Sequence, residues 1–200
     1  LATKPPADKV PGPLLKWPEK GSDYAILVDK SLQKVFVYHR DNPYKPHRTY
    51  TCSTGENQGP KLRESDRKTP EGVYFFIRAF EKKELLPIYG SRAFALDYPN
   101  AIDRREGKNG HGIWFHGLNK PLKPRDTNGC VALENPDIDD LANFIPARLS
   151  IILIALAWPV RASAALRAAF QYHSATPSPV LSAGSSITNT TSISTPHSET

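Results

Sequence analysis

Apolar and β-branched residues in this chain come in short runs, each closed by a Pro, Gly, Asn or Asp turn. Tyr24-Ala25-Ile26-Leu27-Val28 and Lys34 to His39 flank the turn Asp29-Lys30-Ser31 and predict an N-terminal hairpin. Arg48 to Thr54, Val73 to Ile77, Phe94 to Tyr98, Ile113 to Phe115 and Ile151 to Leu156 predict further strands. The segments Gly55 to Lys68 and Ala101 to Asn109 are polar and read as loops, and Arg78 to Glu84 is a charged segment after the fourth strand. A single helical signal stands out. Asn135 is a candidate N-cap, Pro136 suits the first turn, and Asp137, Asp139 and Asp140 suit the positive end of the dipole. The helix should run from Asp137 to about Phe144, with Ile138, Leu141 and Ile145 on one face, and end at Pro146. Many short strands with one or two short helices predict a mostly β fold, a sandwich or barrel.

Composition sets the limits of the domain. Residues 1–21 are Pro-rich and predict an extended linker, residues 22–159 the folded domain, and residues 160–200 a weak helix (Ala164 to Phe170) followed by a disordered Ser/Thr-rich tail. The chain has 200 residues and no Met, which implies a processed chain or a fragment. Leu1 to Trp17 lacks the apolar core of a signal peptide. The last strand, Ile151 to Leu156, is too short for a bilayer, which needs about 20 apolar residues. The net charge of +6 favours anionic surroundings. The basic residues are scattered through loops without interleaved aromatics, which argues against a nucleic-acid partner. Oligomeric state has no signal in the sequence.

The candidate chemistry lies between Gly110 and Leu133. The apolar Ile113-Trp114-Phe115 runs into His116-Gly117, and after a Pro- and Lys-rich loop the chain returns through Thr127-Asn128-Gly129 to Cys130-Val131. An imidazole and a thiol thus stand at the ends of two short strands. A thiol becomes a nucleophile by losing its proton, and a neighbouring imidazole or backbone N–H groups assist that loss. Gly117 and Gly129 permit unusual backbone angles and close substrate approach. The Gly129 and Cys130 amides are candidate donors to an oxyanion. A metal site would draw on His111, His116 and Cys130, but the odd spacing of the two histidines sends them to opposite faces of a strand. A papain-like order would place the Cys before the His. Cys52, inside the third strand, reads as a buried thiol, although pairing with Cys130 stays open.

These residues resemble the L,D-transpeptidase catalytic domain (the YkuD-type fold). Its His-Gly, loop, Ser/Thr-His-Gly-Cys signature stands here as His116-Gly117 and Thr127-Asn128-Gly129-Cys130-Val131. Tyr24 to Asp29, Ser53-Thr54-Gly55 and Lys68-Thr69-Pro70-Glu71-Gly72-Val73-Tyr74 are similar to further blocks of that family. Asn128 replaces the usual second His, and Ala132 stands where many members carry an Arg. With G-H-G-I-W-F-H-G and C-V-A-L-E-N, the chain is more similar to the YafK-like branch, which holds both transpeptidases and L,D-carboxypeptidases that shape curved or helical cells.

The resemblance implies a β-sandwich or barrel and a peptidoglycan-modifying cysteine enzyme of the cell envelope or periplasm of a Gram-negative bacterium. Cys130 would attack the L,D-bond of a stem tetrapeptide and expel D-Ala, with His116 as base and the Gly117 carbonyl orienting it. The acyl group would pass to an amine of another stem or to water. A catalytically silent wall-binding module is the reading from another class. The resemblance implies neither metal nor cofactor, and peptidoglycan stem peptides as partners. Asn128 has two readings, substrate contact or turn residue. Trp114 has two, cleft lining or core aromatic. Arg63, Arg67 and Lys68 either meet stem carboxylates or form a solvated loop.

Overall fold

In the computed structural model, the residues described are 22–145 and 151–155. The expected linker, the end of the domain near Pro159, the weak helix and the tail lie outside them.

The order is β1 (Tyr24–Asp29), β2 (Lys34–His39), β3 (Arg48–Thr51), β4 (Gly72–Glu81), β5 (Arg92–Leu96), α1 (Ala101–Arg105), β6 (Trp114–His116), β7 (Val131–Ala132), α2 (Asn135–Leu141) and β8 (Ile151–Ala155). The fold is mostly β with few short helices. Its strands form one sheet in the order β3-β2-β1-β8-β4-β5-β6-β7. β1 and β2 form the expected hairpin, paired from Tyr24↔His39 to Asp29↔Lys34. Asp29 shapes its turn, accepting from the Ser31 and Leu32 amides at 2.8 and 3.0 Å. β8 slots in parallel beside β1. Beyond β3 the chain bridges Ser53 to Ala132. That bridge joins the two edges of the sheet and curls it around one core of Ile26, Val28, Tyr74, Phe76, Phe115, Val131 and Leu133.

Three elements differ from the sequence reading. β4 continues past Ile77 through the charged stretch to Glu81. A register shift between Phe76 and Arg78 lets the strand leave β8 and pair with β5, and beyond the shift its side chains are largely exposed. Charge there reflects a solvated strand face. α1 falls where a polar loop was expected. Its Asn100 side chain accepts from the Ile102 and Asp103 amides at 2.9 and 3.1 Å, and Asp103 returns the bond to the Asn100 amide. A helix this short has no periodicity to read. α2 begins two residues before Asp137, so Asn135 lies inside it and Glu134 takes the capping position. The expected apolar face is present: Ile138 and Leu141 are fully buried, and Ile145 packs at its end.

One buried cation ties the sheet to the loop before β4. The Lys30 side chain is 1% exposed. Its ammonium donates to the Gly59 and Thr69 carbonyls at 2.7 Å each and to Glu71 Oε1 at 2.9 Å. Burial pushes its pKa down, against the pull of Glu71. Replacing Lys30 with Met should cost about 3–5 kcal/mol, since it leaves Glu71 and two carbonyls unpaired; urea denaturation of the two proteins measures this. A second buried charge acts with opposite sign. Burial pushes the Asp97 carboxyl up to about 7, helped by the charge of Asp103 and opposed by the Phe75 amide and Arg104. Its folded-state value lies above the unfolded one, so its contribution is full below about pH 4 and is lost as pH rises through 7. Asp97→Asn should therefore raise Tm at pH 8 and leave it nearly unchanged at pH 4.

Candidate active site

The cleft forms where β6 and β7 run side by side. Their parallel register pairs Phe115 with Val131 and His116 with Ala132. Successive residues face opposite sides of a strand. Phe115 and Val131 therefore share the core face, where both are fully buried. His116 and Cys130, the residue before Val131, share the other face as diagonal neighbours.

His116 is buried, and its Nδ1 lies 2.6 Å from the Gly117 carbonyl oxygen. A carbonyl only accepts, so Nδ1 carries the proton and Nε2 of the neutral ring keeps its lone pair. The Tyr89 ring meets the imidazole edge-on at 5.1 Å and 84°. Behind Tyr89, Trp114 packs at 5.1 Å and stacks on Phe80 at 4.6 Å. Trp114 thus buttresses the wall and is not among the residues lining the cleft.

Cys130 is half-buried, and its Sγ sits 3.5 Å from the Gly112 carbonyl oxygen. Gly129 before it has φ of 129°, and a Cβ there would lie 2.7 Å from the Lys68 carbonyl oxygen. Thr69 fixes this turn: its hydroxyl donates to the Gly129 carbonyl at 2.9 Å and accepts from the Gly55 amide at 2.8 Å. The Gly129 amide, a candidate oxyanion donor in the sequence, donates to Thr127 Oγ1 at 3.1 Å. The Cys130 amide has no such acceptor among the described residues. Cys52 is 1% exposed in the core, burial pushes its thiol up to about 12, and both thiols are free.

The cleft has a volume of about 730 Å³ and is lined by both His116 and Cys130. Ile88, Tyr89, Ile113 and Leu118 are apolar residues of its lining, and Lys61, Arg67 and Lys120 are cationic ones, with the carboxylates of Glu64 and Asp126 also present. Asn128 lines the cleft and is exposed. Arg63 and Lys68 do not line it; their neighbours Lys61 and Arg67 do. His111 is exposed and pairs with Glu64 at 3.3 Å. No group of three metal-ligating side chains gathers among the described residues.

Sequence reasoning missed Lys61, Tyr89 and Asn135. Lys61 was one charge in a charged loop. It is in fact 3% exposed and donates to the Arg63 carbonyl at 3.0 Å and Asp66 Oδ1 at 2.8 Å. Burial pushes the Asp66 carboxyl up, but Lys61 and the amides of Arg63, Leu62 and Lys68 outweigh it and hold the value at about 2. The spacing of Asp66 to these amides was the one available signal, an Asx-type turn.

Desolvation dominates the electrostatics. It pushes the His116 pKa down, opposed by the Gly117 carbonyl. It pushes the Cys130 thiol up, opposed by a backbone hydrogen bond from Trp114 and the charge of Lys61. Both shifts favour a neutral thiol beside a neutral imidazole at rest. Such a pair is suited to proton transfer during attack on a carbonyl.

The L,D-transpeptidase catalytic domain family (YkuD) matches residues 23–160. YafK of Escherichia coli strain K12, provisionally described as an L,D-transpeptidase, is 33% identical over 101 residues, 49% of this chain and 36% of YafK. Among solved structures, the helical cell shape determining protein Pgp2 of Campylobacter jejuni aligns with a TM-score of 0.62 and 30% identity, over 74% of this chain and 52% of Pgp2. Bd1075 of Bdellovibrio bacteriovorus aligns with a TM-score of 0.60 and 34% identity, over 75% of this chain and 52% of Bd1075. The chain thus spans about half the length of these two structures or less of YafK.

The neutral resting pair has a measurable consequence. Iodoacetamide should modify Cys130 slowly at pH 7, and its rate should rise through one ionisation above the roughly 8.5 of free cysteine. A fast rate persisting down to pH 6 would instead reveal a thiolate–imidazolium pair.

Proposed function

The chain belongs to the L,D-transpeptidase catalytic domain family, and we propose that it is a peptidoglycan-modifying cysteine acyltransferase of the cell envelope. The observation that carries the reading is the shared cleft. His116 and Cys130 line it together, and the 2.6 Å bond to Gly117 leaves Nε2 as the basic nitrogen. As Cys130 Sγ attacks the carbonyl of the L,D-bond in a stem tetrapeptide, Nε2 takes the thiol proton. The Cys130 amide stabilises the oxyanion. His116 then returns the proton to the departing amine of D-Ala, and a thioester remains on Cys130. An acceptor amine from another stem, bound in the same cleft, closes the cycle. Arg67 and Lys120 line the cleft, paired at 2.7 Å with Glu56 and Asp126, and would exchange those partners for stem carboxylates, with Asn128 in the same lining as a hydrogen-bonding group. No helix among the described residues is long and apolar enough to cross a membrane. No step calls on a metal or cofactor.

A second reading replaces the amine acceptor with water, making the protein an L,D-carboxypeptidase. Two observations favour it. Ala132 is fully buried with both backbone groups bonded to Ser53, so it presents no cation where many members carry Arg. The likeness to Pgp2, a helical cell shape determining protein, points toward the shape-related part of the branch.

Disaccharide tetrapeptides, incubated with and without an acceptor stem and analysed by mass spectrometry, separate the readings. Cross-linked dimers support transpeptidation, and tripeptides alone support hydrolysis. His116→Ala should lower either rate about 10²–10⁴-fold. Products no more abundant than with Cys130→Ala would leave only a wall-binding module.

A further inference from the structure

The His116 imidazole is held by a peptide group that is itself held from behind. The unit is the Gly117–Leu118 peptide. Its carbonyl oxygen accepts from His116 Nδ1 at 2.6 Å. Its N–H donates to Asn135 Oδ1 at 3.2 Å. The same Oδ1 accepts from the Ser91 amide at 3.0 Å, and Asn135 Nδ2 donates to the Leu118 carbonyl at 2.8 Å. Two amide donors at one atom and a carbonyl acceptor at the other fix the orientation of the amide. The close fit leaves no room for side chains around it. A Cβ on Gly90 or Gly117 would collide with Asn135 Oδ1, and Gly90 also has φ of 68°. The Gly117 amide is anchored separately, donating to the Arg92 carbonyl at 3.0 Å.

We propose that Asn135 is a positioning residue for the His116 base, acting through the Gly117–Leu118 peptide. The hydrogen-bond chain runs from His116 Nδ1–H to the Gly117 carbonyl, and from the Leu118 N–H of the same peptide to Asn135 Oδ1. Accepting from one end of a peptide makes its carbonyl a better acceptor at the other. Asn135 therefore does two things. It fixes the carbonyl direction, and hence the ring angle and the Nδ1–H tautomer. It also strengthens the bond that stabilises the imidazolium formed when His116 holds the thiol proton. The residue reaches this peptide from the first position of α2. This inference rests on the reading of His116 as the base.

The test reads the imidazole directly, apart from turnover. In the intact protein with 15N-labelled histidine, His116 should titrate as a single Nδ1–H tautomer. In Asn135→Ala the nitrogen shifts should move toward a tautomer mixture and the titration midpoint should fall. Turnover should drop about 10–100-fold, mainly in kcat. Asn135→Asp keeps the acceptor and adds charge, at the loss of the Nδ2 bond to the Leu118 carbonyl, so it should return the tautomer and raise the midpoint above that of the parent protein. Folded Asn135→Ala with unchanged His116 shifts and midpoint overturns the proposal. If that variant does not fold, an unchanged midpoint in Asn135→Asp overturns it. Intact His116 coupling to Asn135 without activity dependent on Cys130 would instead overturn the underlying reading of the site and leave the coupling standing.

Discussion

The cleft depends on how a two-residue strand is held from both sides. β7 is only Val131–Ala132, too short to stand by itself. Phe115 and His116 pair with it on one side, and Ser53 clasps Ala132 on the other, with bonds of 2.8 and 2.9 Å. This double pairing closes the sheet and sets the face on which Cys130 emerges. Thr69 holds the preceding turn by its Gly129 bond, and Lys30 holds Thr69 by its carbonyl. The thiol is therefore placed by a relay of backbone carbonyls and one buried ammonium. No local propensity in Asn128-Gly129-Cys130 would place it so.

Burial governs the chemistry of the same place. It costs a charged imidazole and a charged thiolate alike, so both groups rest neutral. Opposing it are a backbone hydrogen bond to each group and the charge of Lys61. Lys61 is itself held by Asp66 and a carbonyl, so its charge is fixed in position. Apolar Ile88, Ile113 and Leu118 line the cleft together with the charged Lys61, Glu64, Arg67, Lys120 and Asp126.

The legible parts of the fold were those where burial imposes a period. Each strand buried on at least one face, β1 and β2 above all, was readable from its apolar run. So was the α2 stripe of Ile138 and Leu141. The charged half of β4 was not, because its exposed residues carry a loop-like composition while its pairing comes from β5. α1 was not, because a capping box on a five-residue helix leaves no pattern. Asn135 had the composition of a cap, yet tertiary packing took its side chain for three other backbone groups.

By itself the sequence determined which reactive groups exist and roughly where. His116-Gly117 and Gly129-Cys130 are local facts, and the glycine at 129 is demanded by its backbone angle. Tertiary structure decided which atoms are available to react. It turned Nδ1 of His116 toward a carbonyl, spent the Gly129 amide on Thr127, took Arg63 and Lys68 out of the lining, and put Lys61 in. The reason is physical: a hydrogen bond or a buried charge joins groups far apart in the chain. Its cost and its partner are set by the space between them, which no short stretch of sequence encodes.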